Sequence, residues 1–107
     1  MNPDTPLVCV GFISRLVVDK DFDDQGASAC TIEIWLRSQA ISSSEESFLG
    51  FRDVLDLRIE NLSANIRLQM TIYDISDRNL EKTRFRVVDE ENGVISFTCS
   101  EIKTAKH

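Results

Sequence analysis

The chain has few of the residues from which active sites are built. It holds one histidine, His107, and that is the last residue. Chain ends are seldom held firmly enough to position a reacting group, so Ser–His, Cys–His and His–metal chemistry are not expected. The four glycines, Gly11, Gly26, Gly50 and Gly93, stand singly, with no glycine-rich loop to cradle a phosphate. Three cysteines, Cys9, Cys30 and Cys99, are odd in number and widely spaced. They fit neither a disulfide framework nor zinc-ligand spacing, and read as reduced thiols packed like small hydrophobes in a cytoplasmic protein. No apolar run approaches the ~18 residues of a membrane span. The start, Met-Asn-Pro-Asp-Thr-Pro, lacks the basic residues of a secretory leader. The expectation is a protein with no enzymatic activity, no cofactor, no metal and no membrane contact.

Basic residues are also scarce. Twelve Lys and Arg stand against eighteen Asp and Glu, a net charge of −6. Nucleic-acid binders carry a basic stripe, so nucleic acid is not expected as a partner. An acidic surface attracts a basic one. At 107 residues the chain is near the commonest domain size, and residues 1–107 read as a single domain with no need of a staple.

What the chain does have is alternation with a period of two, the mark of strands with one buried face. Val8, Val10, Phe12, Leu16 and Val18 are assigned to one face of a first strand. Cys30, Ile32, Ile34 and Leu36 form the apolar face of a second, with Thr31, Glu33, Trp35 and Arg37 opposite. Between the two lies an Asp-rich loop. Asp21, Asp23, Gln25 and Gly26 match the first half of a calcium loop, but Ile32 stands where the bidentate acid belongs, so a polar turn is the expectation. The biased run Ser42-Ser43-Ser44-Glu45-Glu46-Ser47 reads as a solvated loop.

Leu55, Leu57 and Ile59 alternate with charged residues, as do Ile66, Leu68, Met70 and Ile72 with polar ones. Pairing Ile59 with Ile66 joins these two strands in a hairpin with all apolar side chains on one face. One short helix or turn is expected near residues 76–82, capped by Asp74 or Ser76. In the last hairpin, a three-residue loop of Glu91, Asn92 and Gly93 pairs Val87 with Phe97 and Phe85 with Cys99, with Gly93 left-handed. The fold class is mainly β, about six antiparallel strands in a sandwich or partly open barrel.

Some residues favoured at protein interfaces fall on the polar parity. Trp35 and Arg37 stand on the outward face of the second strand, Arg58 on the next polar strand, and Arg67 and Tyr73 on another. Trp, Tyr and Arg are enriched where proteins bind proteins, so these five are the candidate binding residues. The bland alternative has Trp35 covered by the Ser-rich loop or the short helix, and the arginines paired with acids such as Glu33 and Asp56.

The stretch Phe48-Leu-Gly50-Phe51-Arg-Asp53-Val-Leu-Asp-Leu57, then Arg86-Val87, then Gly93-Val-Ile95-Ser-Phe97-Thr-Cys99-Ser-Glu-Ile102, resembles small β-rich bacterial immunity proteins of polymorphic-toxin systems. The resemblance implies a non-catalytic domain that binds and blocks a cognate toxin, usually encoded beside it, and it assigns no functional residues. A basic toxin domain is then the expected partner. A self-associating domain, with a homodimer built on the same outward residues, is the alternative, and a small-ligand-binding β barrel a third.

Overall fold

The computed structural model describes residues 6–22, 28–39, 41, 44–60, 62, 66–76 and 83–106. Eight strands follow one another: β1 (Leu7–Phe22), β2 (Ser28–Arg37), β3 (Glu46–Arg52), β4 (Leu55–Ile59), β5 (Arg67–Asp74), β6 (Phe85–Asp89), β7 (Ile95–Cys99) and β8 (Glu101–Lys106). All pairings are antiparallel, in the order β4-β7-β6-β5-β1-β2-β3-β8. This is one open sheet, not a closed barrel. No α-helix occurs among the described residues, and the short helix or turn expected near 76–82 falls, Ser76 apart, outside them.

The sheet doubles over at two bends, one within β1 and one at the junctions of shorter strands. β1 pairs with β5 through Leu7–Phe12 and with β2 from Phe12 onward, and its register slips between Ile13 and Arg15. The extra residue is Ser14, whose hydroxyl donates to Glu46 at 2.7 Å. The second bend lies where β3 passes into β4 and β7 into β8. Asp53 takes a left-handed φ of 54° there, and the Ser100 hydroxyl donates to its carboxylate at 2.6 Å. The Ser100 amide donates to the Arg52 carbonyl at 3.0 Å. Bulges and bends of this kind let strands switch layers.

Two layers result, β1–β2–β3–β8 and β1–β5–β6–β7–β4, and their inner faces make one core. Ile32, Ile34, Leu36, Leu49 and Phe51 meet Leu68, Met70, Ile72, Val87, Ile95, Phe97 and Cys99, all at most 3% exposed. Phe51 and Phe97 pack edge to face across the layers, centroids 4.8 Å apart. These side chains form one continuous cluster between the layers.

Three expectations about strands need correction. The slip at Ser14 reverses the parity of the first half of β1. Val8 and Val10 therefore face outward, 47% and 41% exposed, while Cys9, Gly11 and Ile13 face in. The hairpin of β4 with β5 does not form, because β4 pairs with β7 (Ile59 with Ile95) at the far end of the sheet. And there are eight strands, since Glu46–Arg52 and Glu101–Lys106 are strands as well. The last hairpin is as expected: Val87 pairs with Phe97, Phe85 with Cys99, and Gly93 has φ 66°.

Candidate protein-binding face

The polar parity of each strand forms two outer faces, one per layer, and the five candidate residues divide between them. Trp35 and Arg37 lie on the β1–β2–β3–β8 face. Arg67 and Tyr73 lie on β5, and Arg58 on β4, of the other layer. The structure therefore does not unite the five in one site.

On the first face, register brings together residues far apart in sequence. Arg15 of β1 stands opposite Trp35 of β2, and Trp35 opposite Phe48 of β3. The Trp35 and Phe48 rings lie 5.0 Å apart at 56°, and the Arg15 guanidinium sits 4.9 Å over the Trp35 ring. A cation over an indole face is attracted by the ring quadrupole. So Trp35 is half-buried between two neighbours on its own surface, and Phe48 and Arg15 are what cover it. Arg37 pairs with Glu46 at 3.2 Å, one strand over. Its guanidinium also donates to the Ser44 carbonyl at 3.4 Å.

One row further along, Glu33 stands opposite Gly50, and Gly50 opposite Lys103. With no side chain at Gly50, a hollow of about 190 Å³ opens over the strand, walled by Phe48, Glu33, Thr31, Arg52 and Lys103. Phe48 leans across it, its ring 3.1 Å from where a Gly50 Cβ would stand. A flat sheet face thus gains a concave spot beside an aromatic pair, flanked by an acid and a base. Arg52 is tied to Glu101 at 3.5 Å. Sequence reading missed Phe48 and Arg15. Phe48 shows only once β3 is known to be a strand, and Arg15 only once the slip at Ser14 has set its parity.

On the other face the groups are spread out. Tyr73 donates its hydroxyl to Glu90, a bond that favours the protonated phenol and pushes its pKa up. Arg67 lies 3.9 Å from Glu91. Arg58 borders a shallow polar hollow with Arg86 and Asp56. Among the described residues no group of His, Cys, Asp or Glu is placed to hold a metal ion.

Residues 5–105 match the family model described as Immunity protein PIM8. No curated protein and no solved structure matches the chain. A family model that spans nearly the whole of this all-β fold shows that the chain belongs to the Immunity protein PIM8 family.

Proposed function

We propose that this immunity protein neutralises a cognate toxin by holding it on the outer face of β2 and β3, around Trp35, Phe48 and Arg15. Family membership supports the general role, binding another protein. The observation that carries the choice of face is the Trp35–Phe48–Arg15 stack beside the hollow over Gly50. Aromatic and arginine anchors beside a concave spot are where binding energy concentrates at protein interfaces. The inhibition is steric. The chain covers the toxin in the cytoplasm and performs no reaction of its own. The partner surface is basic, in keeping with a net charge of −6 on this chain.

The test is co-expression with the toxin encoded beside it. The native chain is expected to restore growth and to co-purify with the toxin. The Trp35→Ala, Phe48→Ala double variant should lose both effects while remaining folded. Full protection by a folded Trp35→Ala, Phe48→Ala double variant would move the contact to another face.

A further inference from the structure

Four strand segments of five residues or more have a backbone edge that pairs with no described strand, and they are not alike. The second half of β1 carries Asp19, Lys20 and Asp21 along its open edge. β4 carries Asp56 and Arg58, and is distorted between Leu55 and Arg58. β8 carries Glu101 and Lys103. Charges and bulges are what blunt an open edge against another strand. The fourth segment, Leu7–Gly11, pairs only with β5 and has neither protection. It reads Leu-Val-Cys-Val-Gly, and Leu7, Val8 and Val10 are at least 40% exposed.

Alongside this edge runs a groove of about 430 Å³, whose far wall is Phe48, Leu49, Thr104 and Ala105. It lies along the part of β1 that has no β2 partner, since Phe12 is the last β1 residue paired with β2. Phe48 belongs both to this wall and to the Trp35 stack. The groove is therefore continuous with the proposed toxin-binding face.

We propose that Leu7–Val10 is a second contact for the toxin, accepting one extended, uncharged, β-branched segment of it as an added strand. Backbone hydrogen bonds along the open edge would hold the segment, and the groove would take alternate side chains. This rests on the reading that the chain binds a toxin across the Trp35 face. It adds the kind of segment the toxin must present.

The probe is a synthetic peptide of alternating threonine and valine, acetylated and amidated, against the same peptide with every backbone nitrogen methylated. Amide exchange of the pure protein is followed by NMR. The plain peptide is expected to slow exchange within Leu7–Val10 and to shift the Phe48 and Ala105 resonances, whereas the methylated one does neither. Val8→Lys, a charge placed on an exposed edge position, should weaken peptide binding about tenfold or more. The peptide assay on the pure protein needs no toxin, so a failure of the toxin contact at Trp35 and a failure of the edge are read separately. Equal effects of both peptides, or none from either, would overturn the proposal. So would a dimer of the protein alone that Val8→Lys dissolves, since the edge would then belong to a second copy.

Discussion

Asp89 is 1% exposed at the end of β6, and its carboxylate is spent on the backbone. One oxygen accepts the amides of Gln69 and Glu91 at 3.0 and 3.1 Å, and the other those of Asn92 and Val94 at 3.2 Å each. The residue organises the β6–β7 turn and ties it to β5. Removing the acceptor strands several donors, each costing about 1–3 kcal/mol when buried. Asp89→Ala is expected to lose roughly 3 kcal/mol in urea unfolding, and Asp89→Asn a large part of it, because the amide nitrogen meets two N–H donors. A neutral Asn variant would show that the turn holds without the carboxylate. Cys99 makes a second residue-scale point. Burial, helped by the Asp53 carboxylate, pushes its thiol from the ordinary 9.0 up to about 12. The folded value lies above the unfolded one, so this contribution is complete below pH 9.0 and is lost as pH rises towards 12. Cys99→Ala should be less stable than the native chain near neutral pH, by roughly 1 kcal/mol for the lost packing. The gap should narrow in thermal melts taken towards pH 12. A gap unchanged with pH would mean the thiol is not held neutral by the fold.

At the scale of elements, the bend in β1 is the feature on which the two layers depend, and Gly11 is the residue it cannot replace cheaply. A Cβ there would stand 2.6 Å from the Arg37 carbonyl oxygen, a backbone atom with little freedom to move. Gly11→Ala is expected to cost about 1–3 kcal/mol, the usual range for overpacking, seen as a lower urea midpoint with an unchanged slope. A stable Gly11→Ala would mean that the end of β2 yields readily. The same bend explains what sequence alone could and could not reveal. Period-two alternation correctly placed the inner faces of β2, β5 and β7, which carry no slip of their own. It failed in β1, because one extra residue at Ser14 inverts every side chain before it. It passed over β3, where Phe48 and Gly50 on the outer face spoil the alternation, and over β8, an edge strand with little to bury. Alternation also fixes a strand's face and not its neighbour, which is why β4 was paired with β5 when it lies against β7. Of the binding candidates, the outward placing of Trp35 was legible from parity. Its partners Phe48 and Arg15 were not, since they come from β3 and from beyond the slip in β1.

For the whole molecule, charge and anchor are separate devices, and kinetics can tell them apart. The net charge of −6 is not concentrated at the Trp35 stack, whose neighbourhood mixes Arg15, Arg52 and Lys103 with Glu33 and Glu101. A field of that kind acts at a distance. It speeds encounter with a basic toxin and is screened by salt, with a Debye length of about 8 Å at physiological ionic strength. The stack acts only at contact, and so governs how long the complex lasts. The association rate with the toxin is therefore expected to fall steeply as salt is raised, with little change in dissociation. Trp35→Ala should do the reverse: about 2 kcal/mol lost, roughly thirtyfold in Kd, carried by faster dissociation at an almost unchanged association rate. Rapid-mixing fluorescence, with Trp35 itself as the reporter for the native chain and a labelled toxin for the variant, gives both constants. An association rate indifferent to salt would remove the basic partner from the proposal and leave the face standing. A Trp35→Ala complex as long-lived as the native one would do the opposite, keeping the electrostatic attraction and sending the search for the anchor to Leu7–Val10 or to the Tyr73 face.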